Sequence, residues 1–189
     1  AADYAMSLGP DGPLVLDTLG VVYSRFEMHE QAREVLKLSV RVTPDNAQFQ
    51  FNLASVEQFL GNATGAEVGY REAIRVKPDF YRAYWALSEL EKNLGASGRL
   101  PALQELVKRT NLSPEDRLYL GHAISREYEK TGNYDRAFQS LSTGKEGMRA
   151  KVDYRVAGDK KLFETMKQVF PVDGDYAPSD LGNQNIFVL

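Results

Sequence analysis

Residues 44–79 read PDNAQFQFNLASVEQFLGNATGAEVGYREAIRVKPD, a stretch that opens and closes on the same Pro-Asp pair. Pro10-Asp11 lies one further interval upstream, so the pair recurs three times at a spacing of 34 residues. The same interval relates Leu19-Gly20 to Leu53-Ala54 and Leu87-Ser88, Ala32 to Ala66, and Gly61 to Gly95. Self-similarity at a fixed period of this size marks a repeated supersecondary unit rather than a single globular core. Within one period the apolar residues recur twice at three- and four-residue intervals, which predicts two helices of about 13 residues per unit. In the first unit the stripe is Leu16, Leu19 and Tyr23, then Ala32, Val35 and Leu36. Gly20 and Ala32 are small where the two helices of a unit come together, and proline follows the second helix because it has no amide with which to continue one. Asp or Asn after the proline can cap the next helix.

Composition removes several functions from consideration. The 23 basic residues are interspersed with 26 acidic ones and the net charge is −3, so neither nucleic acid nor an anionic membrane is an expected partner. There is no cysteine, hence no disulfide framework, thiolate metal site or thiol nucleophile. His29 and His122 are the only histidines, and no metal site is expected from them. No Gly-rich phosphate loop, nucleophile elbow or His-x-x-x-His pair is present, so no catalytic or cofactor-binding residue is assigned. No apolar run approaches the roughly 18 residues of a membrane span, and AADYAMSLGPDG at the start lacks both halves of a signal sequence. The cytoplasm is the expected location. The chain does not begin with Met, and helical patterning starts at once, so it is expected to be a piece of a longer protein.

The 34-residue, two-helix unit resembles the tetratricopeptide repeat, or TPR. That resemblance implies an all-α, right-handed superhelical solenoid, here with a C-terminal helix and a short extended tail. The expected array covers residues 1–151: a partial unit at 1–12, then units at 13–46, 47–80, 81–112 and 113–151. The third unit is irregular, because Leu100 replaces a small residue and Pro101 must lie in a first helical turn, so its second helix is expected to start late and to pack differently. Ser113-Pro114-Glu115-Asp116 is a strong helix start, with a capping serine, proline at the first position and acids near the positive helix end. YEKTGNYDRAF, residues 128–138, is the best match to the repeat, with Tyr128, Gly132, Tyr134 and Ala137 in register. Gly65 and Gly69 fall inside a helix, where each costs about 1 kcal/mol relative to alanine. Either a close neighbour or a weak helix accounts for them.

Stacked units leave a concave surface lined by the first helix of each. By helical phase the groove-facing positions are Asp17, Val21, Gln48, Phe51, Asn52, Ser55, Arg82, Trp85, Glu89, Tyr119, His122 and Arg126, and a one-residue phase error exchanges Tyr84 with Trp85. The candidate partner-binding set is Phe51, Asn52, Ser55, Arg82, Trp85, Glu89, Tyr119, His122 and Arg126. In it Phe51, Trp85 and Tyr119 are the expected anchors, and Arg82 and Arg126 the expected holders of an acidic group. Some TPR domains clamp the carboxyl end of chaperones with lysine, asparagine and arginine. Asp17 and Val21 stand where a lysine and an asparagine of that clamp are needed, so that role is not expected.

Residues 151–171, KVDYRVAGDKKLFETMKQVFP, predict an extended piece and then a capping helix bearing Leu162, Phe163, Met166, Val169 and Phe170. Residues 172–189 read as a linker followed by a strand, NIFVL, with no partner strand in the chain. The succession LSPEDR, GNYDRAF, a Tyr-containing segment, a helix ending near VF and the strand IFVL resembles the amino-terminal half of bacterial TPR-sulfotransferases. In that family the strand runs into a loop that binds 3′-phosphoadenosine-5′-phosphosulfate (PAPS) at a helix start. The resemblance implies a non-catalytic interaction domain, without cofactor of its own, that selects or presents the acceptor for a PAPS-dependent sulfotransferase. The alternative is a stand-alone adaptor or assembly factor that binds a peptide in its groove. Self-association through the truncated ends is a third expectation, since an incomplete unit exposes an apolar face.

Overall fold

A computed structural model of the chain describes residues 12–91, 98–149 and 156–169. Among the described residues all regular structure is helical: α1 Gly12–Arg25, α2 His29–Val42, α3 Ala47–Phe59, α4 Ala63–Val76, α5 Tyr81–Leu90, α6 Leu100–Val107, α7 Pro114–Lys130, α8 Tyr134–Arg149 and α9 Val156–Val169. Residues 1–11 of the expected helix at 1–12, the expected extended piece before α9, the linker and the NIFVL strand lie outside the described residues. Contacts divide the chain into two units, at 1–151 and 152–189. In the second of them α9 places Leu162, Phe163, Met166 and Val169 along one side, at helical spacing.

In the first unit α1 pairs with α2, α3 with α4, and α7 with α8. The small residues of the repeat are what let these pairs close. A Cβ built on Gly20 would overlap Cγ of Leu36, and Leu36 is itself fully buried. One built on Gly69 would meet Cβ of Ala54 at 2.8 Å, so Gly69 marks a close approach of α4 to α3 rather than a weak helix. Gly65 instead makes room for Asn62, whose side chain caps α4 by accepting from the amide of Gly65 at 3.1 Å. Between α7 and α8 it is the two backbones that close in, since Cβ atoms on Gly121 and Gly144 would each lie 2.9 Å from a backbone oxygen of the other helix. Between the helical pairs runs the core: Ala47, Phe51, Ala54, Tyr70, Ala83 and Leu87 in one cluster, Tyr81, Leu103, Leu120, Ile124 and Tyr128 in the next.

Helix starts follow local rules. Asn46 caps α3 by accepting from the amides of Gln48 and Phe49. At α7 the Ser113 hydroxyl accepts from the Asp116 amide while the Asp116 carboxylate accepts from the Ser113 amide, a reciprocal capping box with Pro114 in the first turn. The turns inside each pair use a left-handed residue, glycine at Gly61 (φ 79°) and Gly132 (φ 73°). At the equivalent point of the first unit stands Glu27, with φ 60°, and the next residue, Met28, leaves α2 without the side-chain cap that Asn62 gives α4.

The third unit, expected to be irregular, does not form the helical hairpin of the others. Its second helix, α6, has only 8 residues and does not pair with α5; it packs on α7, and α5 packs directly on α7. Pro101 in the first turn and the late start of α6 are the local cause. The junction holds a buried charge cluster instead of a regular hairpin. Glu91 (4% exposed) is held by Arg99 and by Arg71 at 2.9 Å, and Glu127 (2% exposed) by Lys130 at 3.0 Å, with Arg99 reaching it at 3.5 Å. Side chains from four successive helical segments, α4, the end of α5, the start of α6 and α7, thus meet on two carboxylates.

Two outcomes test this account. Replacing Glu27-Met28 with Gly-Asn, as at residues 61–62, should raise the stability of the chain by about 1–2 kcal/mol in urea unfolding, through relief of a left-handed non-glycine residue and gain of a cap. No gain would mean that the turn carries no strain. Glu127→Ala should cost about 3–5 kcal/mol, because it leaves buried cations uncompensated. A loss below about 1 kcal/mol would show that the cluster does not hold the junction.

Candidate functional site

The residues expected to line the groove sit on α1, α3, α5 and α7, the first helices of successive units, and the structure sorts them into struts and free surface. Asn52 uses both ends of its amide: Nδ2 donates to both carboxylate oxygens of Asp17 at 2.9 Å, and Oδ1 accepts from Gln48 at 2.7 Å. This ties α3 to α1. Asp17 is buried, which pushes its carboxyl above the usual carboxylate range, while the bond from Asn52 acts in the opposite sense. Ser55 donates to the carbonyl of Phe51 and accepts from the hydroxyl of Tyr70 at 3.3 Å.

Arg126 changes role. Its guanidinium donates to Glu89 through two nitrogens, at 2.6 and 3.1 Å, and to Glu129 at 2.6 Å. Hydrogen bonds to Glu89 and then Glu129 hold it protonated far above the ordinary arginine value. The expectation that Arg126 holds an acidic group of a partner is therefore corrected: its donors already serve two carboxylates, and with Glu89 it bolts α7 to α5. Phe51 is corrected too. It is only 4% exposed, packs against Tyr70 and Phe80, and lies under the Arg82 guanidinium, 4.6 Å from the ring centroid. It is the floor beneath a cation, not an exposed anchor.

Four residues remain as open surface. Arg82 is exposed and no carboxylate engages it among the described residues; it borders a cavity of about 170 Å³ that also touches Val21, Ser55 and Phe59. Trp85 and Tyr119 face each other across α5 and α7, with ring centroids 5.7 Å apart, and His122 lies 6.3 Å from Trp85. All three are partly exposed. The phase ambiguity is resolved, since Tyr84 turns away to donate its hydroxyl to the carbonyl of Pro78 at 3.1 Å. Burial first, and then the nearby Lys145, push His122 below its usual value of 6.5, so its imidazole is neutral at pH 7. Lys145 on α8 was not among the expected residues, because helical phase on a first helix says nothing of what the second helix brings alongside.

Architecture and geometry together can be compared with known proteins. No family model matches the chain. Among solved structures, MamA superposes with a TM-score of 0.59 at 21% identity, over 82% of this chain and 88% of that one. BtubC from P. vanneervenii gives 0.60 at 18% identity, over 77% and 67%. YrrB, described as a TPR protein with an unusual peptide-binding site, gives 0.55 at 17% identity, over 85% and 80%. The fold is that of a TPR array. At these identities the likeness establishes the TPR fold and not a shared role. Protein FlbA of Caulobacter vibrioides is 30% identical over 107 residues, which is 57% of this chain and 18% of that protein. The chain therefore spans less than a fifth of the relative it matches. None of the TPR helices described is long and apolar enough to cross a membrane.

The ring environment predicts a titration. His122 should show a midpoint below 6.5 in a proton NMR titration, and Lys145→Gln should move it upward. Because the unfolded chain takes up this proton at higher pH than the folded one, the contribution of neutral His122 to stability is complete above 6.5 and is lost as pH falls through the folded value. A midpoint at or above 6.5 would contradict the burial described.

Proposed function

We propose that this TPR array is a protein-interaction module that binds a peptide segment of its partner on the surface formed by Arg82, Trp85, Tyr119 and His122. The observation that carries this is the partly exposed Trp85–Tyr119–His122 cluster spanning α5 and α7, beside an arginine that no carboxylate neutralises among the described residues. Aromatic and arginine side chains of this kind dominate binding energy at interfaces when the surrounding surface is rigid. Here the rigidity comes from the Asp17–Asn52 and Arg126–Glu89 struts on either side. The partner segment offers an apolar or aromatic side chain to the rings and an acidic group to Arg82. YrrB, of the same fold, is described by a peptide-binding site, which supports this class of ligand.

A second reading is favoured by the order of motifs from LSPEDR at 112–117 to IFVL at 186–189. In it the array is the acceptor-selecting half of a bacterial, cytoplasmic, PAPS-dependent sulfotransferase, and the peptide in the groove belongs to the acceptor. A loop of the Pro-Arg-Ser-Gly type encoded immediately downstream would support that reading, and a gene without one would remove it. Self-association stays a proposal of the same rank, to be met by light scattering at several concentrations; a strictly monomeric chain ends it.

For the leading reading, peptides selected on the wild-type chain from a random display library should lose binding to Trp85→Ala/Arg82→Ala by at least a factor of about 100, with helicity by circular dichroism unchanged, as expected for the loss of two dominant contacts. Peptides that bind the double variant as well as the wild type would place the site elsewhere.

A further inference from the structure

On the other side of α7 from the groove there is a second concavity, and it differs in charge. A cavity of about 330 Å³ opens between the end of α6 and the α7–α8 pair. Arg117, Ile124 and Tyr128 enter it from α7, whereas Tyr119, His122 and Arg126 serve the groove; the 3.6-residue period puts these two sets on opposite faces of one helix. The cavity has a structural cause. Gly121 and Gly144 bring the two backbones together at its base and contribute no side chain to fill it, and α6 stops at Val107 after 8 residues where α2 and α4 run for 14.

Its lining contains two arginines and no carboxylate. The net charge of the chain is −3, and Arg33, Arg71, Arg75, Arg99 and Arg126 sit on acidic side chains. Arg117 and Arg136 have no acidic partner among the described residues. Arg136 is not loose, however: its guanidinium lies 5.8 Å from the centroid of Tyr128, and the Tyr128 hydroxyl in turn accepts from Gln104 at 2.9 Å. The hydroxyl of Thr143 adds a donor that no described residue uses, and Val107 and Ile124 supply an apolar wall.

We infer that this cavity is an anion site, which takes one phosphate or carboxylate group carried on an apolar body of side-chain size. Two forked guanidiniums match the oxygens of either group, and stacking on Tyr128 fixes one fork in advance, so less freedom is lost on binding. The volume lies at the small end of ligand sites, which limits the body to something like a single ring or a short aliphatic chain. The inference is independent of the peptide reading, since the two surfaces share no side chain.

Phenyl phosphate, phenylacetate, inorganic phosphate and benzyl alcohol, titrated into the full 189-residue chain and followed by amide NMR and calorimetry, test it. Phenyl phosphate, phenylacetate or both should bind and shift the amides of Gly121, Ser140 and Gly144, with at least a tenfold advantage over inorganic phosphate and over neutral benzyl alcohol. The two anionic arms tell which group is preferred. Arg136→Gln and Arg117→Gln should each weaken binding about tenfold, the size of one lost charge-assisted contact, Arg136→Lys should lose less than Arg136→Gln, and Trp85→Ala should leave it unchanged. The inference is overturned if neither anion binds, if benzyl alcohol binds as well as they do, or if the double glutamine variant, shown to be folded by its amide spectrum, keeps wild-type affinity.

Discussion

The array depends on how two buried carboxylates, Glu91 and Glu127, are satisfied. A TPR unit is normally closed by the packing of its second helix on its first, and the next unit then packs on that pair. In the third unit α6 is too short and starts too late to do this, so α7 comes down directly on α5. Arg99, Lys130 and Arg71 supply the positive charge that makes such burial tolerable. A buried ion cluster is a poor source of net stability, since desolvation offsets most of its attraction, but it is demanding about geometry. What it gives here is registry: the angle at which α7 meets α5, and through it the spacing of Trp85 from Tyr119.

The groove shows the same economy. Most of its polar side chains are committed to one another. Asn52 is saturated by Asp17 and Gln48, and Arg126 by Glu89 and Glu129, so a partner meets a surface whose shape is already set. What it finds unclaimed among the described residues is aromatic area and the Arg82 guanidinium held over the Phe51 ring. Recognition by such a surface depends on shape and on a few desolvated contacts rather than on a dense set of charges.

Much of this was legible in the sequence, for physical reasons that can be named. The Pro-Asp spacing and the pairs of small residues reported the helical hairpins because close backbone approach forbids anything larger, as Gly20 against Leu36 shows. Ser113 to Asp116 announced the start of α7 because capping is local chemistry. The late start of α6 and an altered packing followed from Leu100 and Pro101, but its seating on α7 rather than α5 did not, since that is decided by which neighbour offers the better surface. Side-chain commitments were hidden for a similar reason. Helical phase put Arg126 on the right face without saying that Glu89, 37 residues away, would occupy it. Gly121 and Gly144 went unremarked because the third unit is short, which breaks the 34-residue register linking Gly20 to Ala54 and Ser88.

The direct seating of α7 on α5 has a bearing on cooperativity. In a one-dimensional array each unit is stabilised by its own folding and by its interface with the next, and the chain unfolds as one body only while every interface is stronger than the units it joins. The helices before the junction and those after it communicate through a seam that combines buried charge with the cluster of Tyr81, Leu103 and Leu120. A molecule resting across Trp85 and Tyr119 spans that same seam, so its binding energy adds to this coupling. Occupancy of the groove would then be felt by α8, which supplies none of the four contact side chains, as a gain in the unity of the fold.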